Sequence, residues 1–473
     1  DRAQRNVLSG DPRLRDLAGW QRSAFAVAGR RSRNDFVART PDPYELERPS
    51  EFVAVNLEHF VLDPSYACRR PALHRHFSAH FSVPATAHAC APGLPFLDVD
   101  AEAGEASLLA LDPARVYEVD YLLAEGNTQA MSRWGHSMLR LVVCAPGRTP
   151  GPECRLDLAH HRALSFRAFV GDVQISGWRG LTGSYPSRLF LLPLDQVIEE
   201  YTRVELRGLQ SIPLRLQEDE IASLLERAAQ LHWSYDGRYY FIGNNCAVET
   251  WKLLHDGVPR LADAPLASIT PTGLLKKLER QGVADAAVLE DAGEARRLGY
   301  YFEPMSARYD ALYAVARDAL ALPHPDAQAW LALPPAGRAP WLPQADLRTS
   351  AALLVLEHAA QRRQQLLLRD ALKRRYLGRD APDDIAPALQ ALRTWLGDTG
   401  FVSRPSELLP DGYGLPQSEE RMRVAKEAQL RLARLREQDG ALREDLERWL
   451  PADQRDVLRG IEANLETIGA RLR

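Results

Sequence analysis

The chain has 473 residues, of which 45% are apolar and 26% are charged, and its net charge at pH 7 is -4. Such values are typical of a globular protein with roughly two to four domains, and the charge gives no sign of nucleic-acid binding. No apolar run approaches the roughly 18 residues that a membrane-spanning helix needs. The chain opens with DRAQRNVLSG, without an initiator Met or a signal peptide, which indicates a processed or trimmed product.

The sequence pattern divides the chain into three regions. Residues 1–100 mix helix-like and loop-like sequence, and residues 101–300 contain short strand-like runs followed by two helices. Residues 301–473 have the periodicity of helices. We therefore expect an α+β protein, with an antiparallel sheet between a mixed N-terminal region and an all-α C-terminal region. The charged terminal helices are most simply a solvated helical hairpin, and the functional alternative is a docking surface.

Four of the five cysteines form two closely spaced pairs in proline-rich, loop-like sequence: Cys68 with Cys90, and Cys144 with Cys154. Close spacing permits two disulfides, which would indicate an oxidising compartment. The alternative is five reduced thiols. The disulfide hypothesis leaves Cys246 as a free thiol.

Cys246 stands where the run YYFIGNNC passes into a predicted helix. Apolar residues recur after it at helical spacing and a glycine follows them: Val248, Trp251, Leu254 and Gly257. Asn244 or Asn245 can serve as the N-cap. Free N–H groups and the helix dipole favour an anion in the first turn, so we expect a lowered thiol pKa and a nucleophilic thiolate. The alternative is an ordinary packed cysteine.

His136, which begins the predicted strand HSMLRLVVC, is a second residue suited to thiol chemistry. A thiolate nucleophile needs an imidazole nearby, so we expect the sulfur and a ring nitrogen to lie roughly 3–4 Å apart. If the predicted disulfide of this hairpin joins its strands directly, Arg162 lies opposite His136. His160 is then the diagonal neighbour of His136 on the same face and could orient its ring. Asp157 and His161 point to the other face and would take this role if a bulge shifted the register. The alternative for the two adjacent histidines is an exposed surface pair.

A histidine on a strand, a neighbouring strand and an Asn-Cys pair opening a helix resemble the order of the circularly permuted papain-like, NlpC-type cysteine hydrolases and acyltransferases. The run YYFIGNNCAVETW is similar to the motif of lecithin:retinol acyltransferase-like enzymes, including Tyr239, but lacks their Glu-His after the cysteine. The better match is the bacterial Lnb N-terminal periplasmic domain family. Its GHS strand, RG segment and NC helix resemble Gly135-His136-Ser137, Arg179-Gly180 and Asn245-Cys246, within roughly residues 115–260.

The resemblance implies a permuted papain-like domain in a periplasmic bacterial enzyme that needs no cofactor. Cys246 would attack an ester or amide carbonyl with His136 as general base and then general acid. The N–H of Cys246 would bind the oxyanion, with Tyr239 and Asn245 as further candidates. The substrate would be an acyl lipid, a lipoprotein or a cell-wall peptide, and the acyl acceptor would be water or an amine.

Two alternatives to this implied function stay open. The enzymes that name the family N-acylate lipoproteins and carry a membrane-spanning C-terminal part, where this chain has other helices, so hydrolase and transferase chemistry are both possible. The second alternative is a non-catalytic scaffold with an idle Cys-His pair, which would present its helical C-terminal part to an envelope partner.

A weaker resemblance lies near the N-terminus. The run EFVAVNLEHF is similar to the helix that supplies the third zinc ligand, a glutamate, in gluzincin-type proteases, and Glu51 would hold that position. Such a site also needs an HExxH helix, and the chain contains none. Either an upstream segment was removed or the helix is a relic, and we predict no metal here.

Overall fold

The computed structural model describes ten ranges of the chain: residues 7–24, 29–30, 32–84, 89–98, 108–127, 133–168, 185–241, 243–376, 400–449 and 452–473. Within these ranges the protein is α+β, as predicted, because the strands form antiparallel sheets and the C-terminal part is helical. No helix of the described part is long and apolar enough to cross a membrane.

The described strands form one two-stranded and one seven-stranded antiparallel sheet. In chain order they are β1 (Leu94–Leu97), β2 (Leu108–Leu111), β3 (Val116–Ala124), β4 (His136–Val143), β5 (Arg162–Ala168), β6 (Tyr185–Pro193), β7 (Leu209–Leu214), β8 (Gly237–Tyr239) and β9 (Tyr301–Phe302). β1 pairs with β2, and the larger sheet has the order β8-β6-β5-β4-β3-β7-β9. The strand that carries His136 therefore lies at the centre of the larger sheet.

Helices precede, cover and follow this sheet. The described α-helices are α1 (Pro12–Ala18), α2 (Pro49–Leu62), α3 (Tyr66–Arg69), α4 (Pro71–Phe81), α5 (Leu194–Ile198), α6 (Glu218–Ser234), α7 (Cys246–Gly257), α8 (Pro271–Arg280), α9 (Ala292–Arg297), α10 (Met305–Leu320), α11 (Ala327–Ala332), α12 (Pro335–Arg338), α13 (Leu347–Tyr376), α14 (Gly400–Ser403), α15 (Ser418–Trp449) and α16 (Ala452–Leu472). A π-helix, Glu199–Val204, follows α5 directly.

The larger sheet buries an apolar face against α6 and α7, which we call the helix face. Leu139 and Leu164 pair across β4 and β5 on this face, and both belong to the main hydrophobic core with Leu224 of α6 and Trp251 of α7. Branched and aromatic side chains at every second strand position give each strand one such surface. The same core includes Val424 of α15, whereas Leu356 of α13 and Ile468 of α16 belong to a separate hydrophobic core.

The opposite face buries charge, and we call it the arginine face. Met138 and Ala163 pack there against Tyr201 of the π-helix. Beside them, the side chains of Arg140 and Asp120 are completely buried. The two faces of one sheet thus have different chemistry.

Both predicted disulfides are present. Cys68–Cys90 and Cys144–Cys154 are bridged, with Cα atoms 5.2 and 4.6 Å apart, and Cys246 is free and buried. The prediction of one free thiol is confirmed, and the alternative of five reduced thiols is wrong.

The hairpin between β4 and β5 differs from the prediction. Two short 3-10 helices, Pro152–Leu156 and Leu158–His160, replace the expected strand, and β5 begins only at Arg162. Arg162 pairs with Leu141, so the predicted pairing of Arg162 with His136 is wrong.

The composition of the hairpin loop explains this difference. Pro152 has no N–H to donate to a sheet. Asp157 instead accepts the N–H of Ala145 over 2.8 Å and lies 2.7 Å from Arg148, which stabilises a compact loop. The disulfide closes this loop without setting a strand register.

Candidate active site

Cys246 is the first residue of α7, and its neighbour Asn245 is the N-cap. Of the two predicted caps, Asn244 and Asn245, the second is therefore confirmed. The side-chain oxygen of Asn245 accepts the N–H groups of Ala247 and Val248 over 3.1 and 3.2 Å. Its amide donates over 2.9 Å to two carbonyl oxygens, those of Phe241 and Ile269. Because both N–H bonds of the amide can be used in this way, Asn245 acts as a cap rather than as an oxyanion donor.

Asn244 belongs to a buried network beneath the start of α7. Its amide donates to Glu249 and to the carbonyl of Arg238, and its oxygen accepts from the Lys252 ammonium over 2.6 Å. The hydroxyl of Tyr235 also donates to Glu249. These side chains are buried, and hydrogen bonds in a buried network hold its members in one arrangement. The sequence reasoning missed this network, although Glu249 and Lys252 stand one helical turn apart.

The sulfur of Cys246 lies in buried, polar surroundings, since only 5% of the residue is exposed. Burial raises the pKa of the thiol. The N–H and hydroxyl groups of Ser137, the hydroxyl of Tyr239 and the N–H of Ala247 oppose this rise because they favour the thiolate. Burial has the larger effect, so the predicted lowering of the pKa is wrong for this resting structure.

Tyr239 and Ser137 both lie beside the thiol. The hydroxyl of Tyr239 accepts the N–H of Cys246 over 3.2 Å. Two groups predicted to bind an oxyanion are therefore hydrogen-bonded to each other. The hydroxyl of Ser137 is fully buried and lies between the thiol of Cys246 and the hydroxyl of Tyr121, close enough to favour a thiolate. Such a buried donor beside the sulfur is available to an anion bound there.

The glycine before His136 fixes where strand β4 begins. Gly135 has φ +83°, and a Cβ atom added there would lie 2.3 Å from the carbonyl oxygen of Ala124. Only glycine fits such a position. Successive strand residues point to opposite faces. The side chain of His136 therefore lies on the arginine face, and that of Ser137, which contacts the thiol, lies on the helix face.

The imidazole of His136 has partners other than the thiol. Its Nε2 lies 3.2 Å from the Ser165 hydroxyl, and its ring stacks on Tyr201 with centroids 6.0 Å apart and planes inclined by 17°. No hydrogen bond between His136 and Cys246 is present among the described residues, and the predicted separation of roughly 3–4 Å stays a prediction.

The resting pair is uncharged. Burial, followed by the charges of Arg167 and Arg207, lowers the pKa of His136 to about 3. The imidazole is therefore neutral, and the thiol of Cys246 with its raised pKa is neutral as well. Such a pair differs from the thiolate–imidazolium pair that a lowered thiol pKa would produce.

The residues predicted to orient His136 lie elsewhere. His160 ends the 3-10 helix Leu158–His160, and Asp157 braces the hairpin loop. The backbone hydrogen bond from Ala145 lowers the pKa of Asp157. Both assignments depended on a strand that the loop does not form, and both are wrong as partners of His136. Arg179-Gly180 lies outside the described residues.

His161 belongs to a network on the arginine face and is completely buried, so the alternative of two exposed surface histidines is wrong. Arg140 donates to three acceptors: Ser211 Oγ over 3.0 Å, Gly299 O over 2.5 Å and His161 Nδ1 over 2.9 Å. Arg155 donates to Asp120 over 2.8 and 3.2 Å. This network ties the hairpin loop to β3, β4 and β7.

One group of described residues comes close enough to share a metal ion: Asp16, His255 and Asp256, with ligand atoms within 4.8 Å of one another. Arg30 pairs with Asp16 and Arg227 pairs with Asp256, so arginines already balance both carboxylates. The group forms a buried contact between α1 and the end of α7. Glu51 lies in the first turn of α2, outside this group.

The fold and the site define a disulfide-containing α+β protein with a free thiol at the start of a capped helix. Residues 105–281 match the model of the family described as the Lnb N-terminal periplasmic domain, and this match confirms the family predicted from the GHS and NC motifs for this part of the chain. Residues 1–90 match the model of a domain of unknown function, DUF7844. Searches of curated proteins and of solved structures gave no match. The family indicates an envelope-related protein that is periplasmic or exported.

Proposed function

We propose that the protein is a thiol-dependent acyl hydrolase or acyltransferase of the bacterial envelope, with Cys246 as the nucleophile and His136 as its base. One observation supports this most directly: Ser137, Tyr239 and Ala247 direct polar groups toward a single buried sulfur at the start of a capped helix. A cysteine used only for packing does not require donors around its sulfur, whereas a nucleophile does.

The proposed reaction proceeds through a thioester. The sulfur of Cys246 bonds to an ester or amide carbonyl carbon while the thiol proton passes to His136. His136 then gives this proton to the leaving alcohol or amine. Water or an amine attacks the thioester and restores the free thiol. We assign the buried hydroxyl of Ser137 to the oxyanion, because it lies beside the sulfur and a donor held in place before the reaction costs no reorganisation.

The same arrangement supports a permuted papain-like fold, in which a strand carrying the histidine precedes the nucleophile helix. His136 must move from Ser165 toward the thiol for the reaction, since no hydrogen bond joins this described pair at rest. The substrate classes that suit an envelope enzyme of this kind are acyl lipids, lipoproteins and cell-wall peptides, with water or an amine as acceptor.

The alternative is a scaffold with an idle Cys-His pair that binds an envelope partner. The raised pKa of the Cys246 thiol and the separate hydrogen bonds of His136 favour this alternative. The two functions differ in one measurable property, because only the enzyme forms an acyl thioester on Cys246.

Intact-mass analysis tests the proposal. Cys246 is the free cysteine of the protein, so an acyl adduct formed with phospholipid or muropeptide mixtures, or with an acylating ester probe, reports on this thiol. We expect an adduct on the wild type and none on Cys246→Ser. His136→Ala should slow acylation by about 10²–10⁴-fold, and the exposed His358→Ala serves as the control.

Two results would overturn the proposal. Turnover that persists in Cys246→Ser excludes this cysteine as the nucleophile. Acylation of the wild type no faster than that of free cysteine, with no adduct from either natural mixture, supports the scaffold.

A further inference from the structure

Ser165 connects His136 to an arginine. Ser165 lies on β5 opposite Met138 of β4, and it is completely buried. Its hydroxyl lies 3.2 Å from Nε2 of His136 and accepts the Nε–H of Arg167 over 3.1 Å. Both contacts meet at one oxygen, so the arginine restricts what the serine can offer to the histidine.

The π-helix holds this arrangement from the other side. Glu200 accepts both arms of the Arg167 guanidinium, over 3.1 and 2.8 Å. The next residue, Tyr201, stacks on the His136 ring, and Arg207 lies over the tyrosine ring at 5.2 Å. Single-turn π-helices often occur at functional sites, since they place neighbouring side chains at unusual angles.

The two partners of the Ser165 hydroxyl determine which way its proton points. Arginine can only donate, so Arg167 occupies a lone pair of the serine oxygen. The serine proton then has one acceptor among its described partners, which is Nε2 of His136. We infer that Ser165, fixed by Arg167, is a positioning residue that holds neutral His136 with Nε2 as acceptor and Nδ1 as the N–H group.

This inference rests on the proposed function, in which His136 is the base. The positioning keeps Nε2 without a proton and therefore able to receive one. In the reaction the S–H bond of Cys246 breaks and an Nε2–H bond forms, while Ser165 gives up its hydrogen bond to that nitrogen. The charge of Arg167 opposes the imidazolium, so the proton stays on the sulfur until a substrate binds.

Nitrogen-15 NMR of the histidine-labelled protein measures the tautomer directly, and His136→Gln identifies the signals of His136. At pH 7 we expect a protonated Nδ1 and an unprotonated Nε2. Ser165→Thr keeps the hydroxyl and should keep these signals. Ser165→Ala should move them toward a mixture of both tautomers. Ser187→Ala removes another fully buried serine hydroxyl, on β6, and should change nothing.

A second variant keeps the test valid if Ser165→Ala fails to fold. Arg167→Met removes the competing donor, so Ser165 can accept from an Nε2–H group and the tautomers should shift in the same direction. A wild type with protonated Nε2, or folded Ser165→Ala and Arg167→Met with wild-type signals, overturns the inference.

Acylation of Cys246 by an ester probe distinguishes failure of the positioning role of Ser165 from failure of the proposed function. We expect a loss of about 10-fold in Ser165→Ala, which is part of what a proton shuttle contributes, and rescue in Ser165→Thr. If the tautomers behave as expected but Cys246→Ser keeps its turnover, the proposed function fails while the assignment of Ser165 stands. If Cys246→Ser is inactive and the tautomers do not respond, the positioning role alone fails.

Discussion

The helix face and the arginine face of the seven-stranded sheet differ in what they bury. The helix face is largely apolar and holds the sulfur of Cys246 near Ser137. The arginine face buries Arg140 and Asp120 completely and receives the ring of His136. Because strand residues alternate, β4 presents the thiol's neighbour and the thiol's proposed base to opposite sides. The difference shows that neighbours in sequence can belong to two separate electrostatic environments.

The two faces also keep a histidine neutral in different ways. On the arginine face, burial and the charge of Arg140 lower the pKa of His161 to about 4. On the helix face, burial lowers the pKa of His232 to about 4, and its Nε2 accepts the N–H of Leu97 while Nδ1 faces the carbonyl of Leu189. Burial is the largest cause for both histidines. The charge of Arg140 adds to it at His161, whereas the backbone hydrogen bond to Leu189 opposes it at His232.

The largest predicted effect compares two consecutive residues of β4. Arg140→Met removes donors from three buried acceptors on the arginine face, and we expect a loss of about 3–5 kcal/mol in the free energy of unfolding. Leu139→Met changes the shape but not the polarity of the helix face, and it should cost less than about 1.5 kcal/mol. Denaturant unfolding of both variants measures the difference.

Equal losses in the free energy of unfolding for Arg140→Met and Leu139→Met would contradict the proposed difference between the faces. They would mean that the charged network contributes no more to stability than ordinary packing does. Arg140→Met should also raise the pKa of His161, because the neighbouring cation is gone, and should leave His232 unchanged. NMR titration of the two histidines checks this without reference to stability.

The second prediction concerns acid. Both histidines have lowered pKa values when folded, so below about pH 6.5 the unfolded chain binds protons that the folded chain does not. Stability is then complete above about pH 6.5 and declines as the pH falls toward about 4. Each histidine contributes about 1.4 kcal/mol per pH unit within this window. Unfolding measured at pH 7, 6 and 5 gives the slope.

Substitutions assign this slope to particular histidines. His232→Gln retains one acceptor for Leu97 and one donor for the carbonyl of Leu189, and it cannot be protonated. It should remove the share of His232, whereas the exposed His358→Gln should leave the slope unchanged. A slope that does not change in His232→Gln would mean that this histidine is protonated equally in both states.

Local signals in the sequence predicted the parts of the site that local physics controls. The amphipathic spacing after Cys246 and the asparagine before it predicted α7 and its cap, because both depend on residues within two turns. The spacing of the cysteines predicted both disulfides. The GHS and NC motifs predicted the family that matches residues 105–281.

The remaining features depend on contacts between distant segments. The prediction of the hairpin register was wrong because a disulfide-closed loop with Pro152 and Asp157 can form a compact structure as well as two extended strands. The prediction of a lowered thiol pKa was wrong because the burial of Cys246 results from the packing of α7 on the sheet, which no local sequence pattern reveals. Ser165 was missed as the partner of His136 because its role depends on a register and on an arginine pairing with the π-helix.

The smallest predicted effect concerns the cap of α7, which should influence the thiol on the helix face and leave the arginine face unchanged. Asn245→Ala removes the cap of α7, which should cost about 1 kcal/mol in the free energy of unfolding. Fraying of the first turn exposes the sulfur, so iodoacetamide should alkylate Cys246 faster, while the NMR signals of His161 should stay unchanged. Asp291 caps α9 in the same way, by accepting the N–H groups of Gly293 and Glu294. Asp291→Ala should therefore cost a similar or smaller amount without altering alkylation, and equal acceleration in both variants would show that global unfolding, rather than the cap beside the thiol, controls access to the sulfur.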